Sequence, residues 1–118
     1  MSKLYPVEVR IIRSLLSREF GARSPLVKRA KSLEFDSRHM TGTGYYIHFL
    51  NAEEFPREDN LNTEFSEDYR TNREAPCDAV GFTLFIRDGY LSSFEGYTFG
   101  DVKWPDDVME KWLVLDAA

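Results

Sequence analysis

The stretch Gly81-Phe82-Thr83-Leu84-Phe85-Ile86-Arg87-Asp88-Gly89-Tyr90-Leu91-Ser92-Ser93-Phe94-Glu95-Gly96-Tyr97-Thr98-Phe99 decides how this chain folds. Two aromatic-rich apolar runs flank Asp88-Gly89. Asp-Gly between such runs signals a β-hairpin, because Gly takes a positive φ without steric cost. Phe82, Leu84 and Ile86 alternate with Thr83, Phe85 and Arg87, so the even-numbered face of the first strand points into a core. Two registers compete. A two-residue turn pairs Arg87 with Tyr90 and sets Glu95 opposite Phe82, on the buried face. A three-residue turn with Gly89 as a bulge pairs Ile86 with Tyr90 and sets Phe94 opposite Phe82. Burying an unpaired carboxylate is costly, which favours the second register. That register leaves Phe85 and Leu91 on the opposite face, and so predicts a sheet partly covered on both sides.

Outward from the hairpin, 118 residues predict one domain spanning 1–118. A chain of this size buries about two-thirds of its unfolded surface, enough for a core without staples. The single cysteine, Cys77, has no internal partner and fits a reducing compartment. Met1 to Val9 lacks the form of a signal peptide, and no apolar run approaches the roughly 20 residues that span a bilayer. The expectation is a cytoplasmic protein with no membrane partner. Net charge is −5 and unevenly spread: residues 1–38 carry +5, residues 51–75 carry −5 and residues 76–118 carry −5. An acidic balance disfavours nucleic acid and favours a basic protein partner.

Pro6 to Phe20 reads as an amphipathic helix. Pro6 suits the first turn, and Ile11, Ile12, Leu15, Leu16 and Phe20 follow a 3–4 spacing. Arg10, Arg13, Ser14, Ser17 and Arg18 take the opposite face, and Gly21 sits at the C-terminal cap. Ser24-Pro25 starts a second, short helix that ends by Ser32. Leu33 to Asp36 alternates as a strand. Gly42-Thr43-Gly44 turns into another, Tyr45 to Leu50, with Tyr45, Ile47 and Phe49 on one face and Tyr46, His48 and Leu50 on the other. From Asn51 to Ala75 acids dominate and alternation fades. A loop this long is usually functional or disordered, and both readings stay open; the recurrence of Phe55, Leu61, Phe65 and Tyr69 allows part of it to pack or to form a short helix near Ser66–Arg70. Trp104-Pro105-Asp106-Asp107 resembles a helix start, while Trp112 to Leu115 also suits a strand, and both readings of 106–115 stay open. The fold class expected is α+β, with N-terminal helices packed on a mostly antiparallel sheet of four to five strands.

The order of these pieces resembles a set of small bacterial proteins with no assigned activity. In them an N-terminal helix leads to a Phe-Gly-Ala-like element, here Phe20-Gly21-Ala22. A Leu-rich short helix (Leu26 to Ala30) and a Gly-containing strand (Gly42 to Ile47) follow. The motif apolar–Asp-Gly–x-Leu-Ser-x-Leu-Glu then falls on Phe85 to Glu95, with Phe94 in the place of the second Leu. The resemblance implies an α+β sheet domain and brings no catalytic residues, cofactor or metal.

The residues themselves carry no catalytic signature. His39 and His48 match no zinc spacing, and Cys77 stands alone. Cys77 lacks a base beside it, and Asp78 raises its pKa. No P-loop, dinucleotide or Gly-x-Ser-x-Gly pattern occurs. Asp88 and Glu95 are too far apart for a carboxylate pair. The unusual feature is aromatic: nine Phe, six Tyr and two Trp. Tyr45, Tyr46, Tyr90, Tyr97 and Trp104 cannot all be central in so small a core, and Tyr and Trp favour interface centres. The leading expectation is therefore a protein-binding module, most concretely a toxin-neutralising, immunity-type protein. Its candidate binding residues are Tyr46, His48, Glu64, Glu67, Asp68, Glu95 and Tyr97. The alternatives are a small-molecule binder or enzyme, with a pocket between helix and sheet lined by Tyr46, His48 and Glu95, and a homodimer through a sheet edge.

Overall fold

In a computed structural model, residues 2–51, 57–73 and 75–115 are described. Helix α1 spans Pro6–Phe20, as its spacing predicts, with Pro6 in the first turn. Its Ile11, Ile12, Leu15 and Leu16 are at most 1% exposed. Each is worth about 1.5–3 kcal/mol over an exposed position. Ser24 caps helix α2 (Pro25–Arg29), its hydroxyl accepting from the Leu26 N–H at 3.2 Å. A 3₁₀ turn over Ala30–Ser32 follows.

The strands form two antiparallel sheets. Strand β1 (Ser2–Lys3) pairs with β2 (Glu34–Phe35) in a small one. The main sheet contains β3 (His39–Met40), β4 (Gly44–His48), β5 (Thr63–Arg70), β6 (Ala79–Arg87) and β7 (Tyr90–Thr98). Their spatial order is β3-β4-β7-β6-β5. The fold is α+β, with α1 packed on one face of the five-stranded sheet. Tyr45, Ile47, Val80, Phe82, Leu84, Ile86, Leu91 and Phe94 form that core face with the apolar stripe of α1. The chain's end closes the same side. Trp104 meets Tyr45, Phe82 and Trp112 edge-on, with ring centroids 5.3, 6.1 and 5.2 Å apart.

The hairpin takes neither expected register. Its turn has two residues: Arg87 pairs with Tyr90, and Asp88 and Gly89 both have positive φ, 52° and 83°. Such a pair matches the twist of the flanking strands. The extra residue enters later, as a bulge between Phe85 and Ile86 on the facing strand, so that Ile86 pairs with Leu91 but Phe85 with Ser93. Leu91 and Phe94, three positions apart, therefore both point inward, at 1% and 0% exposure. Leu91 was expected on the outer face; the two-residue turn sets it opposite Ile86 on the inner face, and the bulge then brings Phe94 back to that same face. Gly96, rather than Phe94 or Glu95, stands opposite Phe82. The carboxylate is kept out of the core by the bulge instead of by a longer turn.

The acidic segment is not a loop throughout, and no helix forms at Ser66–Arg70. Thr63 to Arg70 is β5, an edge strand paired along its whole length with β6. Phe65 and Tyr69 pack toward the core, Phe65 meeting Phe20 of α1 at 5.7 Å. The 106–115 stretch holds both expected forms. Helix α3 (Met109–Trp112) is short, and beyond it Leu113 bridges Thr71 while the Val114 N–H donates to the Arg70 carbonyl at 3.0 Å.

One buried carboxylate ties these layers. Glu8, in the first turn of α1, is fully buried. It accepts from the Tyr5 N–H at 2.8 Å, from the Tyr45 hydroxyl of β4 at 2.7 Å, and from both terminal nitrogens of Arg38. Arg38 also lies over the Tyr5 ring, 3.9 Å from its centroid. Burial alone lowers the Arg38 pKa, but the hydrogen-bonded Glu8 carboxylate outweighs it and the net shift is upward.

Gly89 is constrained twice. Its φ is positive, and a Cβ there would stand 2.0 Å from the Asp59 carbonyl oxygen. The loop ahead of β5 clamps the turn from that side: the Glu58 N–H donates to Gly89 at 2.9 Å, and the Gly89 N–H donates to Leu61 at 2.8 Å. Gly89→Val is expected to cost about 3 kcal/mol or more, from strain plus overlap. Gly100→Ala, at φ 74° with nothing within 4 Å of its Cβ, should cost about 1–2 kcal/mol. Urea midpoints of the two variants check this, and equal losses would contradict the clamp.

Candidate functional site

Because side chains alternate along each strand, the residues between the core positions gather on the other face of the sheet. Strand β4 presents Tyr46 and His48 there, and β7 presents Ser93, Glu95 and Tyr97. The register sets Tyr46 opposite Glu95, His48 opposite Ser93 and Gly81 opposite Tyr97. From β5 come Glu64, Ser66 and Asp68, opposite Phe85, Thr83 and Gly81. Among the described residues no helix covers this face: α1 and the Trp104–Trp112 pair lie on the other.

The face has an aromatic end and a hydroxyl centre. His39, paired with Tyr46 across β3 and β4, stacks on it at 4.7 Å with the rings 12° apart. His48 meets the same ring edge-on at 5.4 Å. Tyr97 crosses Gly81, where a Cβ would stand 2.5 Å from a ring carbon, so only Gly leaves room for that ring. Thr83 Oγ1 is 3.2 Å from the Tyr97 hydroxyl and 2.7 Å from Ser66 Oγ, a hydroxyl chain across three strands. Phe99, 47% exposed, extends the line from Tyr97 at 5.8 Å.

Six of the seven candidate residues thus share one surface: Tyr46, His48, Glu64, Asp68, Glu95 and Tyr97. Glu67 does not. Its place in β5 sends it to the helix side with Phe65 and Tyr69, where its carboxylate pairs with Arg18 at 3.0 Å. Tyr46, His48 and Glu95 accordingly do not line a pocket between helix and sheet. The grooves on that side have other walls. One, of about 430 Å³, runs between α1 and β5 and is lined by Arg10, Arg13, Ser14, Ser17 and Tyr69. The other, of about 360 Å³, lies beside Tyr5, Arg38, Met40, Trp104 and Val108. Sequence reading missed His39 as part of this face, since its place there follows only from its pairing with Tyr46, whereas Phe99 lies where the odd-numbered alternation from Glu95 and Tyr97 puts it.

Cys77 is half-buried and packs at the margin of the core. Burial raises its pKa and Asp78 adds to the rise, which keeps it a thiol. Among the described residues no three of His, Cys, Asp and Glu converge as metal ligands. No helix among them is long and apolar enough to cross a membrane. No protein-family model, curated protein or solved structure matches the chain.

On the helix side two tyrosines are held protonated. Tyr69 is pushed up to about 12, by burial first and the Glu67 carboxylate second. Tyr45 is raised well above its ordinary value, by burial and then Glu8. The folded chain keeps these protons while the unfolded chain releases them from pH 10 upward, so the folded state binds more protons there. Stability is whole below pH 10 and falls as the pH rises toward about 12. Urea midpoints below pH 10 and near pH 12 measure the loss, and Tyr69→Phe should reduce it.

Proposed function

We propose that this chain is a protein-binding module that receives its partner on the open face of the five-stranded sheet. Toxin neutralisation, as by an immunity-type protein, is the concrete form of that reading. The observation that carries it is the clustering of Tyr46, His48, Glu95 and Tyr97 on one surface that no helix covers among the described residues. Half-buried tyrosines with rings fixed by stacking make interface anchors, because little conformational entropy is lost when they are covered. The acids Glu64, Asp68 and Glu95 share the face with Arg70 and, at the hairpin end, Arg87, so the local charge is mixed. The net −5 of the whole chain favours a basic partner through long-range steering. The resemblance to small bacterial proteins sets the bacterial cytoplasm as the place to look for that partner.

A second reading, a small-molecule binder, has one observation in its favour. Tyr5, Met40 and Val108, at 42%, 63% and 52% exposure, are large apolar side chains left open around the groove of about 360 Å³.

The test begins with capture of the partner from the native host. Tyr46→Ala with Tyr97→Ala should lower affinity by about a hundredfold or more, as loss of two interface anchors does, with little change in urea midpoint. Neutralising Glu64, Asp68 and Glu95 with Gln or Asn should slow association more at low salt than at high salt. Unchanged affinity in the tyrosine variant would overturn the face as the docking surface and turn attention to the groove.

A further inference from the structure

Strand β5 is an edge of the main sheet, and among the described residues its outer backbone is paired only at its Arg70 end. In a strand the N–H and C=O of one residue point to the same side, and the next residue's point to the other. The Thr71 N–H donates inward to the Asp78 carbonyl, whereas on the outer side the Arg70 carbonyl accepts from the Val114 N–H and the Asn72 N–H donates to the Trp112 carbonyl. Counting back, the outward groups are those of Glu64, Ser66 and Asp68. Among the described residues no hydrogen bond satisfies them. The edge already accepts a strand at its end, where Leu113 and Val114 lie against Thr71 and Arg70.

The two flanks of this edge differ in the charges they offer: arginines of α1 on one side, and the β5 acids beside Arg70 on the other. On the helix side lies the groove of about 430 Å³: α1 brings Arg10, Arg13, Ser14 and Ser17 to its wall, and β5 brings Asp68 at the rim and Glu67, whose carboxylate already pairs with Arg18 at 3.0 Å. Arg10 and Arg13 are exposed, and neither has an acidic partner among the described residues. On the open face stand the exposed acids Glu64 and Asp68. We propose that β5 receives an extended segment of a partner protein as a sixth strand, and that this segment alternates acidic and basic side chains. Its acids enter the groove beside Arg10 and Arg13, and its bases lie on the open face beside Glu64 and Asp68. Backbone bonds supply affinity in such strand addition, and alternate side chains supply selection. A second copy of this chain fits poorly. Pairing β5 with itself brings Glu64, Glu67 and Asp68 against their own kind, with Arg70 as the one base.

The proposal rests on the reading that the chain binds a protein, but its test uses no natural partner. The full chain is titrated with the peptide Lys-Glu-Thr-Val-Lys-Glu-Thr, whose Lys and Glu fall on opposite faces of a strand. The control, Lys-Thr-Glu-Val-Lys-Thr-Glu, places both on one face. Amide exchange is read residue by residue. The first peptide should slow exchange at Glu64, Ser66 and Asp68, leave Phe65 and Glu67 unchanged, and bind about tenfold tighter than the control. Ser66→Pro, which removes an outward N–H, should abolish the protection. If that variant does not fold, Arg10→Glu with Arg13→Glu serves in its place and should erase the preference between the two peptides. No protection at millimolar peptide, equal protection by the control, protection that survives Ser66→Pro, or a preference that survives the arginine variant would overturn the edge site. Such a result with partner capture still dependent on Tyr46 and Tyr97 would leave the face reading standing. Peptide protection without any effect of those tyrosines on capture would do the reverse.

Discussion

Glu8 is the point on which the layers depend. Its carboxylate is fully buried and accepts from a backbone N–H, a tyrosine hydroxyl and a guanidinium fork, each from a different part of the chain. An unpaired buried carboxylate would be expelled or neutralised; a saturated one fixes geometry. Here it fixes the entry of α1, the turn between β2 and β3 that carries Arg38, and the core side of β4. Removing one partner of such a pair costs about 3–5 kcal/mol, because the other charge is left without compensation. That is a large share of the stability of a domain this size. With Tyr45 drawn inward to Glu8, alternation sends its neighbour Tyr46 outward, so the open face is in part a consequence of the buried network.

The second constraint is the bulge in the central hairpin. It brings Leu91 and Phe94 to the same side of β7 and so completes the apolar face of the sheet. The core then has enough cover from α1, α2 and the Trp104–Trp112 pair on one side. Nothing in the energetics of that core requires the other side to be buried. A sheet solvated on one face is a normal antiparallel arrangement, and polar residues usually fill the wet positions. Here tyrosine, histidine and phenylalanine fill several of them, and that composition supports the proposed binding face.

Much of this was legible in the residues. The 3–4 spacing of Ile11, Ile12, Leu15 and Leu16 and the placement of Pro6 define α1 at both ends. Asp88-Gly89 defines the turn. The register escaped because a bulge at Ser92 is chosen by what Leu91 and Phe94 pack against, and packing is not local. Strand β5 escaped because charged residues at an edge strand resemble those of a loop; only Phe65 and Tyr69 betray the alternation. The face was read better than the register that builds it. Glu95 and Tyr97 are two apart and stay together whatever residue they oppose, whereas Glu67, one position from Asp68, was bound to be separated from it. The Glu8 cluster was invisible, since Arg38 lies thirty residues away from it and meets it only through the fold.

The central claim is that, among the described residues, this sheet is covered on one face and not on the other, with an unpaired edge along most of β5. Amide hydrogen exchange of the free chain tests it most directly. The account predicts alternation along β5: slow exchange at Phe65, Glu67 and Tyr69, whose N–H groups face β6, and fast exchange at Glu64, Ser66 and Asp68. Uniform protection along the strand would show that the edge is already covered. Uniformly fast exchange would show that β5 does not pair with β6, and either result would contradict the account.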